Sequence, residues 1–132
     1  ATRQRYAAPK LIAPLHNESI TFCPTKGECD VEFSWQSADN LAPDETFELR
    51  IWMGDTPSPH DGSARGTARC ERATQYYCVK VDFFHRLPGA HNWTVVIIRV
   101  DGNGQHLEGL SAEENSFDSR DYVYRRWVFW KK

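Results

Sequence analysis

The chain has 132 residues, of which 40% are hydrophobic and 26% charged, and its formal net charge at pH 7 is −2. This length fits one domain with a proper core, and the predicted strands are too apolar for a disordered chain. No apolar run reaches the roughly 18 residues of a transmembrane helix. An aromatic content of 13% with frequent Gly and Pro favours an all-β domain.

Charge is unevenly distributed along the chain. Residues 1–10 carry a net charge of +3 and residues 119–132 a net charge of +4, which leaves −9 for residues 11–118. This pattern fits a soluble body with two basic tails, and it equally fits the ends of one molecule meeting the body of another. We expect no nucleic-acid partner, because the basic groups lie at the ends rather than along one face.

The first predicted elements are an arm and two strands. Residues 1–9 show no periodicity and predict an extended N-terminal arm. A short strand is predicted at residues 10–15, where Pro14 indicates an edge or entry segment, and residues 19–22 continue it. Residues 31–36 alternate apolar with polar side chains, which predicts a strand with one buried face.

Residues 46–53 repeat this alternation and predict a second half-buried strand. Residues 54–69 are rich in Gly, Pro and Ser and predict a long loop, which in a compact domain is usually functional or mobile. Residues 74–82 predict a further strand. Within 46–53 the apolar face consists of Phe47, Leu49, Ile51 and Met53, and the opposite face of Glu48, Arg50 and Trp52.

The stretch 93–100 has the strongest strand signal, because it is rich in β-branched residues and ends in the turn sequence 101–104. Both of its faces are apolar, so we expect this strand to be covered on both sides. After the turn, residues 106–110 and 112–118 complete the fold, with Phe117 facing inward. The two faces of 93–100 are Trp93, Val95 and Ile97 on one side and Thr94, Val96, Ile98 and Val100 on the other.

The four cysteines predict two disulfides. Their proximity in sequence favours Cys23 with Cys29 and Cys70 with Cys78 among the three possible pairings. Closing such small loops is worth roughly 2–3 kcal/mol each on the chain-entropy model. Zinc is disfavoured, because neither pair has CxxC spacing and no histidine lies nearby in sequence.

Two glycosylation sequons, at Asn17 and Asn92, agree with the cysteines. Disulfides persist in oxidising compartments. The sequence therefore predicts an extracellular or cell-surface protein.

The predicted strands of residues 10–118 resemble those of fibronectin type III and related immunoglobulin-like modules. This resemblance implies a two-sheet antiparallel sandwich of about seven strands over residues 10–118, and it implies no particular function. The family usually has a tyrosine where Trp93 stands and has no obligatory disulfides. The segments that carry the resemblance are Val31-Glu-Phe-Ser-Trp35, Phe47-Glu-Leu-Arg-Ile51, Leu87-Pro-Gly, Trp93-Thr-Val95 and Ser111 to Phe117.

Residues 119–132 form a basic, aromatic C-terminal tail, within which residues 121–130 predict one strand more than such a module requires. Leaving so many aromatics in water is unfavourable. The tail therefore folds back onto its own sheet, pairs with a neighbouring molecule by β-strand addition, or inserts into a lipid interface; we do not expect the membrane contact. The residues predicted for a subunit contact are Tyr122, Tyr124, Trp127, Phe129 and Trp130 with Val96, Ile98 and Val100.

The leading hypothesis is a secreted structural subunit of an extracellular filament or surface assembly, in which the tail of one copy contacts the body of the next and the chain forms a homopolymer. The alternative is a monomeric adhesion or carbohydrate-binding module that contacts a glycan or another surface protein. An aromatic platform of Trp52, Tyr76 and Tyr124, with residues 54–69 as its rim, would serve such a module.

Known catalytic and metal motifs are missing. The five histidines lack HExxH spacing, and the sequence contains no GxSxG, P-loop or GxGxxG motif. Residues 101–105 begin like a calcium loop, but His106 and Ala112 stand where the EF-hand pattern needs Gly and Glu. We therefore expect no enzyme activity, no cofactor and no metal site.

Overall fold

The computed structural model describes residues 6–20, 30–37, 40–53, 64–82, 89–111 and 125–129. Within these ranges the chain forms nine strands and no helix, which confirms the prediction of an all-β chain. The described residues therefore contain no helix that could cross a membrane. The strands are β1 Lys10–Ala13, β2 Glu18–Ile20, β3 Asp30–Gln36, β4 Glu45–Met53, β5 Ala64–Gly66, β6 Tyr77–Asp82, β7 Gly89–Val100, β8 His106–Gly109 and β9 Arg125–Phe129.

The strands are arranged in two sheets, as predicted. In the smaller sheet β3 lies between β1 and β6, and the larger sheet has the order β2-β9-β7-β4-β5 with β8 paired to β7. Every pairing is antiparallel except that of β2 with β9, which is parallel. Two antiparallel sheets with one parallel pair are therefore the architecture of the described chain.

The two sheets share one apolar core. The ring of Phe33 on β3 lies 5.1 Å from that of Trp93 on β7, and both are fully buried. The Phe47 ring on β4 lies 5.6 Å from that of Trp35 and 4.5 Å from that of Tyr77, which belong to the other sheet. Such aromatic pairs add about 0.5–1.5 kcal/mol each beyond the area they bury, so they stabilise the contact between the sheets.

Strand β7 is buried on both faces, as its sequence predicts. Trp93, Val95 and Ile97 belong to the shared core, and the opposite face is also closed to solvent from Thr94 to Ile98. The strand begins at Gly89, earlier than predicted, and it pairs with β4 on one side and with β9 and β8 on the other. It is the strand with the most partners in the described chain.

The predicted half-buried character of residues 46–53 is wrong. Glu48 and Arg50 are 1% and 2% exposed, whereas Met53, which the alternation predicts inside, is 43% exposed. Arg50 Nε donates to Glu48 Oε1 at 2.8 Å, and Arg65 Nε on β5 donates to Glu48 Oε2 at 2.8 Å. A carboxylate held by two guanidinium groups tolerates burial because its charge and its oxygens are both satisfied.

The chain around Pro14 differs from the prediction of one interrupted strand. β1 belongs to the smaller sheet and β2 to the larger one. Between them the chain turns at residues 15–18, where the Glu18 amide donates to the Leu15 carbonyl at 3.0 Å and the Leu15 amide donates to Glu18 Oε1 at 2.8 Å. Pro14 cannot donate to a ladder, so the chain leaves the first sheet there.

Two further segments extend the predicted organisation. Residues 64–66 of the predicted loop 54–69 form the edge strand β5, which pairs with β4. Of the predicted arm 1–9, residues 6–9 are described, and Tyr6 contacts the domain. Its amide donates to the Leu110 carbonyl at 2.8 Å, and its hydroxyl donates to Glu45 Oε1 at 2.6 Å.

We predict that Glu48→Gln strongly destabilises the domain, because it leaves two guanidinium groups without their carboxylate. Removing one partner of a buried ion pair lowers the free energy of unfolding by about 3–5 kcal/mol. Unfolding in urea measures this loss. Glu108→Gln is the matched control, since the ion pair of Glu108 with Arg99 is partly exposed, and it should cost no more than about 1 kcal/mol. Equal losses in the two variants would contradict a stabilising role for the buried cluster.

Candidate functional site

The predicted subunit contact combines buried and undescribed residues. Val96 and Ile98 are fully buried within the single chain, and Val100 is half-buried. Trp127 and Phe129 lie on β9, whereas Tyr122, Tyr124 and Trp130 lie outside the described residues. A neighbouring molecule can therefore reach Val96 and Ile98 only by displacing what covers them.

Strand β9 pairs within its own chain, which is the first of the three arrangements considered for the tail. It runs antiparallel to β7, with Phe129 opposite Gly89 and Arg125 opposite Trp93. On its other side it runs parallel to β2, with Trp127 opposite Glu18. In this arrangement the backbone of residues 125–129 is paired with β7, and that of residues 127–129 is also paired with β2.

The sheet edges of the described chain are short or covered. The paths of the two sheets end on β1 and β6 and on β2 and β5. β2 and β5 have three residues each, and the four residues of β1 stand between Pro9 and Pro14. At the start of β6, Arg69 bridges to Tyr77, and Lys80 adds an exposed charge farther along. Short, proline-flanked and charged edges are how proteins prevent edge-to-edge association.

The predicted aromatic platform lies only partly within the described residues. Trp52 lies on β4 in the larger sheet and is 9% exposed. Tyr76 precedes β6 in the smaller sheet and is half-buried, and Tyr124 lies outside the described residues. Two of the three rings are therefore on different sheets.

Tyr76 instead lines a groove of about 830 Å³ beside the smaller sheet. One side of the groove consists of residues from β1, β3 and β6, and the other of the segment 68–73. The lining residues are Ile12, Glu32, Ser34, Ala68, Arg69, Cys70, Glu71, Arg72, Ala73, Tyr76, Cys78 and Lys80.

A disulfide braces one rim of this groove. Cys70 is bonded to Cys78 with 4.9 Å between their Cα atoms, which confirms the predicted pair; Cys23 and Cys29 lie outside the described residues. The Cys70 amide donates to the Tyr76 carbonyl at 2.8 Å, and the Cys78 amide donates to the Ala68 carbonyl at 3.0 Å. The segment that carries the rim is thus fixed to β6 by a covalent bond and by backbone hydrogen bonds.

Arg69 stands on this rim in a defined orientation. Its guanidinium carbon lies 4.0 Å from the centroid of the Tyr77 ring, whose side chain is buried. Its Nη1 is 3.5 Å from the Gln75 carbonyl, which is a long hydrogen bond. A cation stacked on an aromatic face is held by the ring quadrupole, so the exposed side of the guanidinium is available to a ligand.

The groove offers donors for recognition rather than ligands for a metal. Arg72 and Lys80 add two cations, and Glu32 and Glu71 add two carboxylates. Among the described residues no group of three or more His, Cys, Asp or Glu side chains is placed to hold a metal ion. Arg69, which the sequence places in the predicted loop 54–69, and Arg72 are not among the predicted binding residues. The signal that points to them is the presence of an arginine on either side of Cys70 within an acidic body.

The two sequons differ in accessibility. Asn17 is exposed in the turn between β1 and β2, with a positive φ of 66° that asparagine tolerates. Asn92 lies within β7 and is 3% exposed, opposite Trp52 on one side and Arg126 on the other. The folded chain has room for a glycan at Asn17 and none at Asn92.

We predict that a glycosylating secretory host modifies Asn17 and leaves Asn92 bare, because the Asn92 side chain is buried and the fold leaves no space for a glycan there. Peptide mass spectrometry of the secreted chain reads both sites, and Asn17→Gln should abolish the mass shift. A folded, secreted chain with an occupied Asn92 would contradict the burial of this side chain.

No family model, no curated protein and no solved structure matches this chain.

Proposed function

We propose that the chain is a non-catalytic recognition module of an extracellular protein, that it is monomeric, and that the groove beside the smaller sheet is its binding surface. The observation that carries this proposal is the groove itself, which is open and has a rim braced by Cys70–Cys78. A rim fixed before binding loses little conformational entropy when a ligand arrives.

We also infer that the fold is an immunoglobulin-like sandwich of the fibronectin type III kind. In that class strands A, B and E share one sheet and strands C, F and G share the other. The orders β1-β3-β6 and β4-β7-β9 agree with this arrangement if β9 is the last strand. The tail, which the sequence predicts as an additional strand, would then complete the module.

The disulfide supports the extracellular part of the proposal. Cys70–Cys78 is the kind of bond that persists outside the reducing cytosol. The exposed sequon at Asn17 agrees with passage through a secretory route. Short and covered sheet edges favour a chain that stays monomeric.

A filament subunit is the second candidate, and the pairing of β9 between two strands favours it. The neighbours of β9, the strands β2 and β7, contact it along its backbone. The same segment from a second copy can make identical pairings, because strand exchange conserves every hydrogen bond. The contact would be heterologous and would build open filaments unless it closes into a ring.

The assembly state separates these two candidates. We predict that the full chain is a monodisperse monomer by light scattering, and that a chain ending at Asp118 is strongly destabilised, because β7 and β2 lose their shared partner. Filaments of the full chain that disappear on truncation would instead establish exchange of the tail between subunits.

Ligand binding tests the groove. We predict that the full chain binds at least one class of polysaccharide on a glycan array, and that Ala68→Trp removes this binding by filling the groove. Ala7→Trp is the matched control, because Ala7 is exposed and lies outside the groove. Equal behaviour of the two variants would show that the groove is not the binding surface.

A further inference from the structure

We propose that the groove binds acidic polysaccharides, with Arg69 and Arg72 holding the carboxylate or sulfate groups of the sugar chain. This inference rests on the proposed function and names the ligand class of the same site.

The ion pairing of the arginines is the first support. Five arginine side chains are described, and three of them pair with a carboxylate at 2.8–2.9 Å: Arg50 and Arg65 with Glu48, and Arg99 with Glu108. Arg69 and Arg72 have no such partner in the described part of the chain, and both line the groove. Among the described arginines, the two without a carboxylate partner therefore lie in one place.

The orientation of Arg69 is the second support. The Tyr77 ring holds one face of its guanidinium at 4.0 Å. A guanidinium held in place presents its fork of N–H donors to a planar carboxylate, or to a sulfate, with less entropy to lose. Arg69 also lines a second depression of about 340 Å³ between residues 40–45 and Thr67. It therefore stands where two depressions meet, as a long polymer requires.

The charge of the surroundings selects the kind of anion. The groove carries three cations and two carboxylates, so its net charge is +1 within a body of net charge −9. A body of this charge repels a polymer of very high charge density. A polymer whose carboxylates are spaced farther apart can bind through the local cations of the groove alone. The half-buried Tyr76 adds an aromatic surface on which a sugar ring can stack.

A sugar chain fits the groove better than an added peptide strand does. A peptide that extends a sheet pairs with a free edge. At the start of β6, next to the groove, that edge is already taken by the segment 68–70, which is hydrogen-bonded and disulfide-bonded to it. Side-chain donors, rather than a free backbone edge, are what the groove offers.

Binding to defined polymers tests this inference. Polygalacturonate and heparin supply carboxylates and sulfates respectively, and dextran is the neutral control. We predict that the full chain binds polygalacturonate more tightly than heparin and does not bind dextran, and that the binding weakens with increasing salt. Arg69→Gln and Arg72→Gln should each weaken binding about tenfold, since each removes charge-assisted hydrogen bonds.

Arg99→Gln is the matched control, because it removes the same charge outside the groove, and it should leave the affinity within about twofold. A thermal melt shows whether Arg69→Gln is folded, since this variant also loses the stacking contact with Tyr77. If it is unfolded, Arg72→Gln alone tests the inference. Equal weakening by Arg72→Gln and Arg99→Gln would overturn the inference in favour of unspecific charge attraction.

Two further outcomes separate this inference from the proposed function. Binding of dextran that Ala68→Trp abolishes and Arg72→Gln leaves unchanged would overturn the anionic ligand and keep the recognition module. Absence of binding to all three polymers would overturn the acidic-polysaccharide inference, and absence of binding to every glycan on the array would overturn the recognition groove as well.

Discussion

The burial of β7 on both faces is the constraint on which the rest of the structure depends. One face supplies Trp93 to the core between the sheets, where its ring meets that of Phe33. The strand pairs along its length with β4 and, on the other side, with β9 and β8. A strand in this position brings the middle and the C-terminal part of the chain into one sheet. This is why the aromatic tail joins its own domain as β9.

β4 pairs with β7 over nine residue pairs; its second face is buried as well, and that face carries charge. The buried carboxylate of Glu48 is compensated, because it accepts hydrogen bonds from Arg50 on the same strand and from Arg65 on the neighbouring strand β5. Arg65 also donates to the Gly104 carbonyl, so the cluster connects β5 to the turn between β7 and β8. Buried charge of this kind is tolerated only when it is paired, so these residues depend on one another.

The segment 68–73 beside the smaller sheet has the opposite character, because Arg69 and Arg72 have no carboxylate partner among the described residues. The disulfide Cys70–Cys78 and the backbone hydrogen bonds around it hold the segment 68–70 against β6. This closes an edge that would invite strand addition and at the same time builds the rim on which Arg69 stands. Both effects support the proposal of a monomeric recognition module.

Local patterns in the sequence determined most of the described strands, the burial of both faces of residues 93–100, and the disulfide of Cys70 with Cys78, because a period of two and a short loop between cysteines are properties of neighbouring residues. The tertiary structure alone decided that Glu48 and Arg50 are buried, that Arg69 lies over Tyr77, and that residues 125–129 pair with β2 and β7. Alternation reports only which side chains share a face. Whether a face is buried depends on what packs onto it, and whether a charge there is tolerated depends on its partner, such as Arg65 opposite Glu48. These contacts join residues that lie far apart in the chain.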